Sequence, residues 1–183
     1  EGCDSKADGS PDTLTERRYE RLASGGAGII WFEATAVMEE GRANPRQLYI
    51  TKNNLDDFKR QVETIKETAF KQNGYEPIVI MQATHSGRYS KPNGTPAPLI
   101  AYNNPIFEKD NPISPDRIVT DEYLDRVGES LVKGAKLAEK AGVFFYHNAK
   151  IPTYANSRMA AFFSHEGGEL EITFPHSGKV VEY

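Results

Sequence analysis

Apolar residues recur at helical spacing in three segments of the first 142 residues. The spacing predicts helices over residues 13–23, 54–73 and 121–141. Asn53 or Asn54 is a candidate N-cap for the second helix, and Thr120 is one for the third. Glycine follows each segment closely, as is typical of helix C-termini.

Two continuous apolar runs lie between these helices. Residues 28–37 (GIIWFEATAV) and 77–84 (PIVIMQAT) are rich in β-formers, which favours strands buried on both faces. Helix, strand, helix, strand, helix is the order of βα units, so we expect the two strands to be adjacent and parallel. The segment 86–119 is rich in Pro, Asn and Gly and predicts a long loop at the carboxyl end of the second strand.

The sequence changes character after Gly142. Short β-prone runs replace the βα pattern at residues 143–146, 159–164, 169–174 and 179–183. Pro175–Gly178 has the composition of a hairpin turn. We therefore expect two parts, an α/β region at 1–142 and a short antiparallel β tail at 143–183.

Charge, apolar run length and the number of cysteines indicate which classes of partner and compartment the sequence favours. A net charge of −4 does not favour a nucleic-acid partner, and no apolar run has the length of a membrane span. A single cysteine excludes an internal disulfide and favours a reducing, cytoplasmic compartment. The spacing of His147, His165 and His176 matches no zinc motif, so we expect no metal site.

Three stretches together resemble a known family. They are GAGIIWFEATAV with EEGRANPRQL (residues 26–48), IMQATHSGRYSKP (80–92) and the helix DEYLDRVGESLVKGAKLAEKAG (121–142). In this order and spacing they are similar to the N-terminal part of the Old Yellow Enzyme family, and more closely to its 2,4-dienoyl-CoA reductase and ene-reductase branch. The resemblance implies the early βα units of an FMN-dependent (β/α)8 TIM barrel.

The same resemblance implies roles for two strand residues. Ala34 matches the small residue that lets the backbone approach the flavin, and Gln82 matches the glutamine whose amide binds the pyrimidine edge. A primary amide offers both a donor and an acceptor, as that edge requires. The structural alternative for Gln82 is a polar residue that closes a barrel strand.

His85 and Arg88 in H-S-G-R have two possible roles. They could form a supporting shell near the flavin and its substrate. Alternatively, His85 is a buried histidine bound to backbone and Arg88 anchors the long loop. Arg42 and Arg46 could orient an anionic cofactor, but a solvated loop is the simpler interpretation.

The resemblance implies hydride transfer from NADH or NADPH through FMN to an activated alkene or enoyl substrate. The family's substrate-binding His pair has no counterpart after Gly142, because the adjacent His147 and Asn148 would point in opposite directions on a strand. The late phosphate-binding loops have none either. We therefore expect a truncated or fused fragment of low activity, with possible self-association through incomplete barrel edges. The alternative is a non-catalytic α/β remnant with a β-sandwich-like binding or packing tail.

Overall fold

The computed structural model describes residues 3–144, 153–155, 160–162 and 169–174. Three helices and a parallel strand pair alternate through the first of these ranges. The elements are α1 (Thr13–Ser24), β1 (Ile29–Ala36), α2 (Leu55–Asn73), β2 (Ile78–Thr84) and α3 (Asp121–Lys140). This order is the predicted one.

The predicted N-cap of α3 and the predicted C-terminal glycine of α2 are confirmed, whereas the predicted N-cap side chain of α2 bonds elsewhere. The Thr120 hydroxyl accepts a hydrogen bond from the Tyr123 N–H at the start of α3, and Gly74 ends α2 in the left-handed conformation at φ 80°. Asn54 occupies the N-cap position of α2, but its side chain makes no capping bond there. Its amide instead donates to the carbonyls of Asp8 and Tyr49, because Asn54 is buried under the preceding loop.

β1 and β2 pair in parallel, which confirms the central fold prediction. The register runs from Ile29 opposite Ile78 to Ala36 opposite Thr84. It shifts between Phe32 and Thr35, where three steps along β1 face two along β2. Such a bulge bends the strand and redirects the side chains that follow it.

One face of the strand pair carries the core. Tyr19 of α1 stacks on Phe32 with ring centroids 4.4 Å apart, and Phe58 of α2 lies against the same ring. Val62, Ile65 and Ala69 of α2 also belong to this core, each at most 2% exposed. The Tyr19 hydroxyl also accepts the Glu33 N–H at 2.6 Å, so a backbone donor of β1 is satisfied by a side chain.

Residues after α3 continue along β2. The Phe144 N–H donates to the Val79 carbonyl at 3.3 Å, and Val143 packs against the core. The sequence predicted a β-prone run here but matched it to no strand of the family. A backbone bond to β2 places residues 143–144 beside the strand pair.

The tail is described only in short pieces. Residues Thr153–Ala155 pair antiparallel with Ala160–Phe162, and we name these strands β3 and β4. The predicted strand at 169–174 is wrong, because those residues have no regular secondary structure. The run that was predicted to pair with it, residues 179–183, lies outside the described residues. The hairpin predicted at Pro175–Gly178 lies outside the described residues, and the tail as a whole stays a prediction.

Candidate functional site

The carboxyl ends of β1 and β2 lie side by side, and both predicted cofactor residues are near them. Ala34 and Gln82 each stand two residues before the end of their strand. Gln82 is exposed, whereas Ala34 is only 5% exposed and follows the start of the bulge. That the two face one cavity therefore stays a prediction.

The Gln82 amide is oriented by the only tryptophan of the chain. The Trp31 indole N–H donates to the Gln82 Oε1 at 3.3 Å. An indole N–H can only donate, so the oxygen and not the nitrogen of the amide must face it. This leaves the amide NH₂ to donate elsewhere. Trp31 is 58% exposed, on the strand face opposite the core.

Gln47 holds the two strand ends together, and the sequence analysis missed it. Its Nε2 donates to the Ala34 carbonyl at 3.1 Å and to the Thr84 hydroxyl at 3.2 Å, while its Oε1 accepts the Ala43 N–H at 2.6 Å. Gln47 is 3% exposed. A polar residue directly before the apolar run Leu48–Ile50 was the available signal.

His85, the first residue after β2, is held through both ring nitrogens. Its Nδ1 accepts the Gly87 N–H at 3.1 Å, and its Nε2 lies 2.9 Å from the Tyr123 hydroxyl. A nitrogen that accepts carries no proton, so the neutral ring is protonated at Nε2 and donates to Tyr123. Burial lowers the pKa of His85 and so favours this neutral form.

The Tyr123 hydroxyl continues the chain of hydrogen bonds to Glu40, whose Oε1 is 3.5 Å away. Burial and the Glu40 carboxylate together raise the pKa of Tyr123 to about 12. Tyr123 therefore keeps its proton near neutral pH and can donate it to Glu40. Tyr123 and Glu40 were not recognised from the sequence, because they lie far apart along the chain.

Arg88 anchors the long loop. Its guanidinium pairs with Glu108, which is 5% exposed, and lies 5.0 Å from the centre of the Phe107 ring. Glu108 Oε2 also accepts the Asn104 N–H at 2.6 Å. These contacts are those of the loop-anchoring alternative for Arg88, and a role toward a flavin stays a prediction.

Arg42 differs from the expected solvated loop residue. It is 4% exposed, and its guanidinium donates to the carbonyls of Ala7, Pro45 and Gln47. Arg42 thus fastens the loop after β1 to the N-terminal loop. The solvated interpretation is wrong for Arg42, because its side chain is buried and its guanidinium donates to three backbone carbonyls of the surrounding loops.

Other classes of site have no support within the described residues. No group of His, Cys, Asp and Glu there has the arrangement of a metal centre. His147, His165 and His176 lie outside the described residues. No described helix combines the length and apolar character needed to cross a bilayer.

Comparison with known proteins identifies related chains. The NADPH dehydrogenase of Halalkalibacterium halodurans is 31% identical over 162 residues, which cover 84% of this chain and 43% of that protein. The NADPH dehydrogenase of Geobacillus thermodenitrificans is 28% identical over 190 residues, which cover 98% of this chain and 51% of that protein. No family model matches the chain.

Solved structures share the fold of the described region. Morphinone reductase superposes with a TM-score of 0.59 at 23% identity, covering 77% of this chain and 39% of that one. The Old Yellow Enzyme homologue from Zymomonas mobilis superposes with a TM-score of 0.59 at 20% identity, also covering 77% of this chain and 39% of that one. The resemblance to the Old Yellow Enzyme family is confirmed. The chain spans about half the length of the curated relatives it matches.

Proposed function

We propose that this chain provides the early βα units of an FMN-dependent NAD(P)H oxidoreductase that reduces activated alkenes or enoyl compounds. The main observation that supports this proposal is the exposed Gln82 amide at the carboxyl end of a parallel strand pair, in a chain similar to NADPH dehydrogenases. Ligands of α/β barrels bind at that end of the strands. The division near residue 142 and a cytoplasmic location are part of the same proposal.

The two predicted cofactor residues fit a flavin unequally. Gln82 fits, because the bond from Trp31 fixes the orientation of the amide and leaves its NH₂ and the second lone pair of its oxygen for the ring. Ala34 fits less well, because it is buried and its carbonyl already accepts from Gln47. We therefore assign Gln82 to hold and orient the ring, and Ala34 only to provide a strand end without a bulky side chain. When bound, FMN supplies the site's capacity to take up and release hydride.

A titration that follows the tryptophan tests the cofactor assignment. Trp31 is the only tryptophan and contacts Gln82, so FMN bound at this face should quench its emission. Gln82→Leu removes the amide at similar size and should weaken FMN binding roughly two- to tenfold, the value of one hydrogen bond. The matched control is Gln72→Leu at an exposed position of α2. Equal affinity of the two variants would exclude Gln82 from the site.

Consumption of NADPH with cyclohexenone and excess FMN tests the reaction. We expect little turnover from this chain, because no pair of donors for the substrate oxygen is recognised in it. Losing one preorganised donor commonly lowers the rate on the order of 10²–10³-fold. Turnover equal to that of the curated relatives would contradict this, and His147 and Asn148 would then be the first residues to change. Protein that binds no FMN would favour the non-catalytic alternative.

A further inference from the structure

One imidazole ring joins three separate elements at the start of the 86–119 loop. We propose that His85 is a pH-sensitive latch, whose neutral ring fastens the first turn of this loop to α3 and to the turn Glu39–Gly41. The contacts are Nδ1 with the Gly87 N–H, Nε2 with the Tyr123 hydroxyl, and that hydroxyl with Glu40. The inference does not depend on the proposed cofactor.

The packing leaves the ring little freedom to turn away. A Cβ placed on Gly41 would lie 2.6 Å from a carbon of the His85 ring, so only glycine allows this approach. The Tyr123 ring stands nearly perpendicular to the imidazole, with centroids 5.9 Å apart. The imidazole therefore fits closely between the 39–41 turn and α3.

Backbone hydrogen bonds also join the start of the 86–119 loop to the 39–41 turn. The Ser86 N–H donates to the Gly41 carbonyl and the Lys91 N–H to the Arg42 carbonyl, both at 2.8 Å. The segment 86–91 thus lies along the chain that follows β1. The Gly87 N–H, in contrast, donates to the His85 ring itself, so the turn 85–87 depends on the ring's protonation state.

Protonation of His85 at Nδ1 would place two N–H donors, that of the ring and that of Gly87, against each other. An imidazolium carries N–H groups at both positions, so its Nδ1 could no longer accept the Gly87 N–H. Among the charged groups around the ring, Glu40 favours protonation, while burial disfavours it and dominates, so the pKa of His85 is lowered. Arg126 adds a positive charge on α3, 5.2 Å from the centre of the Tyr123 ring. The latch is thus closed near neutral pH and opens in mild acid.

Amide exchange on the full wild-type chain tests the latch without any substitution. We expect the Gly87 protection factor, corrected for intrinsic exchange, to fall up to about tenfold as His85 titrates below its ordinary pKa of 6.5. The ring nitrogen shifts should show protonation at Nε2 at neutral pH. A proton at Nδ1, or Gly87 protection unchanged while His85 titrates, would overturn the proposal.

Two variants separate the latch from ordinary packing. His85→Asn keeps an acceptor near the Nδ1 position but cannot titrate, so Gly87 protection should become independent of pH. Glu40→Gln removes the carboxylate that favours protonation, so the His85 midpoint should fall further, while the matched control Glu39→Gln leaves it in place. An unchanged midpoint in Glu40→Gln would remove the 39–41 turn from the latch. If His85→Asn fails to fold, the wild-type titration still decides.

Discussion

α2 and α3 are helices of nearly equal length with very different burial. They contain 19 and 20 residues, and both have an apolar face in sequence. α2 buries five residues, namely Phe58, Gln61, Val62, Ile65 and Ala69. α3 buries only Gly134 and Ala138, while its Leu124, Leu131 and Val132 are exposed.

The difference follows from what each helix connects. Along the chain, α2 connects two strands that pair with each other, so it packs back on them and its apolar face covers their shared surface. α3 contacts β2 and α2, but only residues near its C-terminal end, Leu137, Ala138 and the C-cap Ala141, reach the core. Periodicity thus shows which face is apolar, but the presence of neighbours decides whether that face is buried.

Truncation of one apolar side chain on each helix should give the largest contrast. Ile65→Ala in α2 removes a fully buried side chain and should lower the free energy of unfolding by about 2–5 kcal/mol. Leu131→Ala in α3, where the side chain is 37% exposed, should lower it by less than about 1 kcal/mol. Urea denaturation measures both. Equal losses would mean that the exposed face of α3 is covered in solution, as self-association would do.

The two glycines of α3 should respond in opposite directions to alanine. A Cβ at Gly134 would lie 2.5 Å from a methyl carbon of Val37, so Gly134→Ala should destabilise the fold by about 1–3 kcal/mol. At Gly128 nothing lies within 4 Å, so Gly128→Ala should stabilise the helix by up to about 1 kcal/mol. Thermal unfolding of both variants measures the contrast. A neutral Gly134→Ala would show that α3 does not pack closely on the end of β1.

The helix starts provide a smaller contrast. Thr120 caps α3 through its hydroxyl, so Thr120→Ala should lower stability by about 1 kcal/mol, and Thr120→Ser should restore most of it. Asn54 starts α2 without such a bond but donates to two loop carbonyls. Asn54→Ser should therefore be more harmful than Thr120→Ser, since serine cannot reach those carbonyls. Equal denaturation midpoints for the two serine variants would contradict this.

The smallest effect expected is on pH dependence near α3. Because the folded pKa of His85 is lowered, the unfolded chain binds more protons below the ordinary value of 6.5, and stability falls as pH decreases through that range. The free energy of unfolding should therefore decrease less between about pH 7 and 5.5 in His85→Asn than in wild type. The same decrease in both proteins would assign the pH dependence to other groups.

Candidate site residues could be predicted only where one segment carried the signal. Gln82 and His85 stand in a short motif directly after an apolar run, so the sequence placed them at a strand end. Gln47 and Glu40 lie 35 residues or more before the end of β2, and Tyr123 lies in the next helix, yet all three reach the same region. Taken singly, each looks like an ordinary polar or helical position. Their contacts depend on folding, which no local pattern records.

The sequence by itself determined the order of the helices and strands, the parallel pairing, the loop after β2 and the cap of α3. These follow from local periodicity, capping chemistry and the topology that alternating βα units impose. Only the tertiary structure decided the bulge beside Ala34, the burial of Arg42, the continuation of residues 143–144 along β2 and the exposure of α3. These features depend on which neighbour supplies a hydrogen bond or covers an apolar face, and that neighbour is chosen by packing between distant segments.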